Sequence, residues 1–269
     1  MASPFSFFNK PESQLGVDIG TAALKMVELT KGKQLPKLNN YAILETQAHL
    51  LRTGGAIQSS SVKLSQNQLT ELLLLGQQKA TFSTKKAVAS VPEFVAFTAI
   101  VDLPEMETKE LEQAISFQAR QYIPVPIKEV NLQWLKVGEY KNTQGFMQQQ
   151  IMLIAVPNSY INECQTAFNA AGLTLSSLEV EQLALVRGAV GPDQTPTMVL
   201  DIGARSMNIS IAERGQLAFA VQADQGGGTI TAALAQSLGI NPMRAEALKR
   251  ARGFIGAGPA RAVITIGVA

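Results

Sequence analysis

Two short segments of like chemistry recur far apart in the chain: Leu15-Gly16-Val17-Asp18-Ile19-Gly20 and Met198-Val199-Leu200-Asp201-Ile202-Gly203. In each, an apolar run delivers a carboxylate and then a glycine. A glycine at a strand-to-strand turn lets backbone N–H groups approach an anion closely, so a phosphate can be held by the main chain. A carboxylate beside a phosphate is repelled by it, and its work there is to hold a hydrated Mg2+. Either segment alone is a weak signal, because strands often end in Asp and turns often carry Gly. A third segment, Asp224-Gln225-Gly226-Gly227-Gly228-Thr229, opens a predicted helix whose first N–H groups suit an anion. Three glycines also suit an ordinary strand-to-helix turn. What that turn does not account for is the joint order of hairpin, long insertion, hairpin and Gly-rich helix start. Neither G-x-x-x-x-G-K-[ST] nor G-x-G-x-x-G occurs, which disfavours a P-loop or a Rossmann site.

The elements that must position these residues follow from periodicity and breakers. Leu15 to Ile19 and Leu24 to Leu29 read as strands around a tight Gly20–Ala23 turn, a hairpin with Asp18 at its tip. Tyr41 to Thr46 adds a strand, Ser65 to Gln78 an amphipathic helix through Leu69, Leu72 and Leu73, and Lys86 to Val91 a strand ended by Pro92. A strand over Val95 to Val101 and a helix over Thr108 to Tyr122, stopped by Pro124 and Pro126, come next. Strands over Asn131 to Glu139 and Gln149 to Val156 and a helix from Asn158 to Ala171 complete a βαββα set, read as an inserted subdomain. Ser177 to Glu181 and a helix from Gln182 to Ala189 return to the first pattern before the breakers of Gly191 to Pro196.

After them Asp18 falls on Asp201, Ile19 on Ile202, Gly20 on Gly203 and Leu24 on Met207, an internal repeat. The strand Gln216 to Ala223, a helix to Leu238 and a helix over Ala245 to Arg252 capped by Asn241-Pro242 follow. The expected organisation is α/β with two lobes and a βαββα subdomain inserted in the first. Its ranges are a disordered tail over 1–13, a first lobe over 14–91 and 173–196, the insertion over 92–172 and a second lobe over 197–269.

Composition excludes other classes. The 269 residues carry 23 Lys+Arg against 21 Asp+Glu, a net charge of +2, with 46% hydrophobic residues, enough to build two cores. With no basic run longer than Lys85-Lys86, nucleic acid is not an expected partner. A single cysteine and a single histidine rule out an intramolecular disulfide and a His/Cys zinc cluster. Cys164 shares a helical face with Ile161, Phe168 and Ala171 and reads as a small buried hydrophobe. His49, in the polar stretch Ala48 to Gly55, reads as a surface residue, since the chain has no nucleophile elbow. With no apolar run of ~20 residues and no signal peptide, the expected location is cytoplasmic.

These residues resemble a known family. Leu15 to Leu29 is similar to the first phosphate motif of the actin-like ATPases, and most closely to that of the PilM family of type IV pilus assembly proteins. Val199-Leu-Asp-Ile-Gly203 resembles the second phosphate motif. The βαββα stretch from about Pro92 to Gly172 resembles the subdomain that this family shares with the division protein FtsA, and Val180 to Leu185 resembles the segment that re-enters the first lobe. The resemblance spans roughly Phe7 to Arg252.

It implies an actin-like ATPase fold with ATP and Mg2+ as cofactors. Asp18, Gly20, Thr21, Ala22 and Lys25 would form the first phosphate hairpin, with Lys25 as a charge partner to phosphate. Asp201, Gly203 and Ser206 would form the second, and Gly226, Gly227, Gly228 and Thr229 the helix-start contact. Asp18 and Asp201 would serve the metal. Glu246 and Lys249 match the Glu-x-x-Lys spacing found around adenosine, although charges at i,i+3 also describe a solvated helix face. Glu181 falls where related ATPases place an acidic group near the attacking water, and it is the catalytic candidate of an at most slow ATPase. The alternation of Glu179 and Glu181 also fits a strand facing solvent.

The resemblance further implies a partner, the short cytoplasmic tail of the inner-membrane pilus protein PilN. It would dock between the first lobe and the insertion, with Val88 to Phe97 and Gln149 to Pro157 as candidate strands for main-chain pairing. That would hold the protein at the inner face of the inner membrane; self-association is left open. From Thr197 to Ala269 the second lobe is expected to be partial, because Gly256-Ala257-Gly258 is a poor stand-in for the family's Gly-rich adenosine loop. For this chain a nucleotide affinity too weak to measure, or nearly so, is the corresponding expectation. The alternative is a nucleotide-independent scaffold like the actin-like cytoplasmic domains of type II secretion. A sugar or acyl kinase would share the hairpins but needs a substrate cleft with a catalytic base, whereas the insertion reads as a docking module.

Overall fold

The structure, a computed structural model, describes residues 13–33, 35–46, 63–253 and 266–267. The tail before Ser13, the stretch holding His49 and the Gly256–Gly258 segment lie outside the described residues. Contacts divide the chain into two units, Met1–Val91 with Ser159–Glu179, and Pro92–Asn158 with Val180–Ala269.

The first unit is built on a five-stranded sheet of order β3-β2-β1-β4-β8. Its strands are β1 (Ser13–Ile19), β2 (Ala23–Thr30), β3 (Lys37–Glu45), β4 (Lys86–Val91) and β8 (Thr174–Val180). Alternation sets the faces: Leu15, Val17 and Ile19 of β1 and Leu24 and Met26 of β2 are buried on one side. Helix α1 (Gln66–Lys79) starts at a capping box between Ser65 and Gln68 and buries Leu69, Leu72 and Leu73. Gly76 lets α1 settle onto the sheet, since a Cβ there would collide with the Met26 sulfur.

Helix α3 (Asn158–Ala170) buries Tyr160, Cys164, Ala167 and Phe168. Gln77 Nε2 donates to the Ala171 carbonyl at 2.8 Å just beyond its end. The sequence reading groups this helix with the inserted strands; the contacts group it from Ser159 onward with the five-stranded sheet.

The second unit holds two sheets. One has the order β5-β7-β6, from β5 (Phe97–Pro104), β6 (Val130–Lys141) and β7 (Met147–Pro157), all antiparallel. Helix α2 (Thr108–Tyr122) packs Leu111, Ile115 and Ala119 with Ile151, Leu153 and Ala155 of β7 in one core. The other sheet has the order β11-β10-β9-β12, from β9 (Thr197–Ile202), β10 (Met207–Glu213), β11 (Gln216–Ala223) and the short β12 (Ile266–Gly267). Helices α4 (Glu181–Ala189), α5 (Gly227–Leu238) and α6 (Pro242–Arg252) complete it.

Strand order corrects the expected docking strands. β7, which contains Gln149 to Pro157, is central between β5 and β6, and β4, which holds the Val88 to Val91 part of the other segment, is central between β1 and β8; the end of that segment, Phe97, opens the edge strand β5. Both edges of β7 and of β4 are already hydrogen-bonded within the sheet, so neither can take an added strand. Among the described residues the edge strands of those sheets are β3 and β8, and β5 and β6.

Candidate functional site

The first turn joins β1 to β2, and Asp18 lies directly across from Lys25 in the antiparallel register. Lys25 Nζ donates to Asp18 Oδ2 at 2.8 Å in a solvent-accessible pair, and Ser90 Oγ donates to Asp18 Oδ1 at 3.0 Å. Gly20 closes the turn by donating its N–H to the Ala23 carbonyl at 3.2 Å. A Cβ at Gly20 would stand 2.8 Å from that same carbonyl oxygen, so only glycine suits the position. Buried Thr46 grips the loop from outside: its N–H donates to the Ala22 carbonyl at 2.9 Å and its hydroxyl to the Thr21 carbonyl at 3.2 Å. Among the described residues no acceptor meets the Thr21 and Ala22 N–H groups. Asp18, Gly20, Thr21, Ala22 and Lys25 are thus gathered at one tip.

The second turn repeats this geometry. Gly203 donates its N–H to the Ser206 carbonyl at 2.9 Å, the same three-residue closure as Gly20 to Ala23. Ile202 pairs with Met207 and Asp201 with Asn208, so Asn208 stands where the first hairpin has Lys25. The repeat is structural, and its charge is not conserved between the two copies.

Against this turn sits the Gly-rich start of α5. Gly227 donates its N–H to the Gly203 carbonyl at 2.9 Å and Gly228 to the Ala204 carbonyl at 2.8 Å. Thr229 N–H returns to the Gly226 carbonyl at 3.0 Å. A Cβ on Gly226 would lie 2.7 Å from the Gly203 oxygen and 2.8 Å from the carbonyl carbons of Ala204 and Arg205. The glycines therefore let a helix start press onto a hairpin turn, and the helix N–H groups are spent on that contact.

Helix α6 is latched to the same place. Lys249 Nζ donates to the Gly227 carbonyl and to Thr231 Oγ1, each at 2.9 Å, and pairs with Glu246 Oε2 at 2.7 Å. The Thr231 hydroxyl also contacts Glu246 Oε2, and Arg250 Nε donates to Oε1 at 2.8 Å. The hydrogen bond from Lys249, then that from Thr231, hold the Glu246 carboxyl at about 2, well below the usual carboxylate value. These two charges are not a plain solvated face; they tie α6 to the start of α5.

Glu181 is the first residue of α4 rather than the end of a strand. Its Oε1 accepts from Asn208 Nδ2 at 2.8 Å and from the Glu93 N–H at 3.3 Å. Burial pushes the Glu93 carboxyl up, against a hydrogen bond from Thr98. Asp201, Gly203, Ser206, Gly226 to Thr229, Glu246, Lys249 and Glu181 all belong to the second unit, and the first-turn residues to the first.

Asp18 in the first unit and Asp201 in the second are each a lone oxygen donor at an accessible strand end, the kind of ligand a Mg2+ that keeps its waters can use; among the described residues no three acidic, His or Cys groups converge. For a phosphate, the N–H groups of Thr21 and Ala22 fit, whereas those of Gly227 and Gly228 are already engaged. Sequence reasoning missed Ser90, Thr46, Asn208 and Thr231. The only signal for Asn208 was its place opposite Asp201 in the repeat; nothing local marks the others.

Comparison with known proteins gives one family match and related folds. The sequence model of "Type IV pilus assembly protein PilM" matches residues 16–258. Among solved structures, a PilM–PilN type IV pilus biogenesis complex is 27% identical with a TM-score of 0.71, over 89% of this chain and 70% of that one. The cytoplasmic domain of EpsL, an inner-membrane component of the Vibrio cholerae type II secretion system, is 11% identical with a TM-score of 0.52, over 86% and 78%. The mixed α/β architecture is shared with the PilM–PilN complex chain and with the EpsL cytoplasmic domain.

Proposed function

This chain belongs to the family of the type IV pilus assembly protein PilM, and from that membership we propose that it is an ATP-binding component of pilus assembly that docks the cytoplasmic tail of a PilN-type protein. The observation that carries the nucleotide part is the repeated turn, with Gly20 and Gly203 closing loops by the same bond pattern behind Asp18 and Asp201. Within the first unit the Thr21 and Ala22 N–H groups and Lys25 would receive phosphate and the Asp18 carboxylate would face the water shell of a Mg2+; within the second unit the Asp201 carboxylate would play the corresponding part. That cation supplies charge neutralisation of the phosphates. Ser206 and the Gly226–Thr229 segment would close the second phosphate turn, and Glu246 and Lys249 would flank the adenosine. Glu181 is the candidate for orienting a water in slow hydrolysis, held in place by Asn208 and Glu93.

The partner part is supported by likeness to the chain of a PilM–PilN complex. An extended tail would add to an edge strand, and the sheet order leaves β5, β6, β3 and β8 for that role. Among the described residues no helix is long and apolar enough to cross a membrane. A place at the inner face of the inner membrane would come through the partner.

The test is titration of ATP into the full chain with and without Mg2+. Asp18→Ala is expected to weaken Mg2+-dependent binding by ~1 to 3 kcal/mol, and an unchanged affinity overturns the site. Retention of a PilN N-terminal tail peptide by the immobilised chain tests the partner.

One observation favours a second reading, a nucleotide-independent scaffold: the Gly227 and Gly228 N–H groups are bonded to the second turn and not held open for an anion. Under that reading the tail peptide binds and ATP does not at any Mg2+ concentration.

A further inference from the structure

Asp18 is gripped at both carboxylate oxygens. Lys25 Nζ lies 2.8 Å from Oδ2, and the Ser90 hydroxyl lies 3.0 Å from Oδ1. The same Ser90 oxygen accepts the Ile19 N–H at 3.0 Å. Ser90 is on β4, parallel to β1, in a register that pairs Val17 with Ala89. It therefore bridges the carboxylate of one β1 residue and the amide of the next.

A serine hydroxyl has one proton and two lone pairs. The Ile19 N–H occupies the oxygen, and the proton is directed to Asp18. The orientation of Oδ1 is set by backbone geometry and not by a loose surface contact. Among the described residues the second hairpin shows no equivalent contact: Asn208, across from exposed Asp201, sends its amide to Glu181. Among the described residues the two aspartates of the repeat are thus unequal: Asp18 has a side-chain donor on each oxygen and Asp201 has none.

We propose that Ser90 is a positioning residue for cation-dependent nucleotide binding. By fixing Oδ1 it presents Oδ2, which the Lys25 ammonium covers in the free protein, to the water shell of a divalent cation that arrives with a triphosphate. Lys25 stands in for that cation. When the hydrated cation takes its place on Oδ2, the ammonium turns to the phosphate, so the carboxylate keeps a positive neighbour throughout. A hard divalent ion that retains its waters needs few protein ligands, and one well-oriented carboxylate matters more to it than several mobile ones. The inference rests on the first turn being a phosphate site.

NMR titration of the full chain, following the Gly20 and Thr21 amides, tests it with ATP plus MgCl2 and with ATP plus EDTA. Ser90→Ala is expected to lose roughly tenfold in affinity for Mg·ATP while affinity for ATP in EDTA stays within about twofold. Ser90→Thr, which keeps the hydroxyl, is expected to restore the wild-type value. A purely structural serine would weaken both titrations alike, and that outcome overturns the proposal. Wild-type Mg2+ dependence in Ser90→Ala, where Asp18→Ala has lost it, overturns the role of Ser90 and leaves the site standing. Wild-type binding in Asp18→Ala overturns the site and the role together. Should Ser90→Ala fail to fold, Ser90→Cys, with a weak donor of similar size, replaces it against Ser90→Thr, with the same outcomes.

Discussion

The side-chain amide of Asn208 donates a 2.8 Å hydrogen bond to Oε1 of Glu181, and the Glu93 N–H reaches the same oxygen from 3.3 Å. One carboxylate thereby joins three pieces of chain within the second unit: the segment leading into β5, the first turn of α4 and strand β10. Asn208 is only 4% exposed, so its amide has little access to water if this bond is lost.

Asn208→Ala should therefore cost ~1 to 3 kcal/mol of stability, since it leaves a half-buried carboxylate short of a donor. Asn208→Asp should cost more, by setting a second carboxylate against the first. Urea unfolding followed by circular dichroism measures both, and wild-type stability in the aspartate variant would contradict the geometry.

Gly226 and Gly188 should respond oppositely to alanine. A Cβ at Gly226 meets backbone atoms of the second turn at 2.7 to 2.8 Å, and those atoms cannot swing aside. Gly226→Ala is expected to destabilise by about 1 to 3 kcal/mol, the usual cost of overpacking. At Gly188, inside α4, nothing lies within 4 Å of the added Cβ. There alanine should stabilise by ~0.5 to 1 kcal/mol through lower unfolded-state entropy. Melting temperatures of the two variants, measured side by side, give the comparison.

Glu246 sets an acid limb. Its carboxyl titrates at about 2 in the folded chain, against 4.5 without its partners, chiefly because of Lys249 and then Thr231. A depressed folded value means stability that is present above about 4.5 and is lost as pH falls from there through about 2. With about a third of the side chain exposed, solvent screening reduces the contribution to the order of 1 kcal/mol. Glu246→Gln should lower stability at pH 7 and converge with wild type near pH 2, as read from unfolding curves across that range.

Cys164 is 1% exposed, and burial pushes its thiol up to about 11. At neutral pH it should resist a thiol reagent until the chain unfolds, because the thiolate is the reactive form. Labelling in native buffer at the rate seen in denaturant would contradict the packing of α3.

Much of this was legible in the sequence because it is local. The helix over Thr108 to Tyr122 is observed at those bounds, since its apolar period and the prolines after it act within a few residues. Both hairpins, their glycine turns and their correspondence could be read for the same reason. The burial of Cys164 followed from its helical face.

What the tertiary structure decided were the pairings between distant residues. Ser90 meets Asp18 only because β4 lies parallel to β1, a neighbour relation that 72 residues of separation leave open. Alternation marks β7 as buried but cannot say that it is central, and so could not reveal that its hydrogen bonds were already taken. The Gly226–Gly228 segment reads equally as an anion site or a packing turn until the carbonyls of Gly203 and Ala204 are seen to claim its N–H groups. Short-range sterics choose an element, whereas the partner of each donor and acceptor is settled by which strands and helices come together, and local spacing carries no record of that choice.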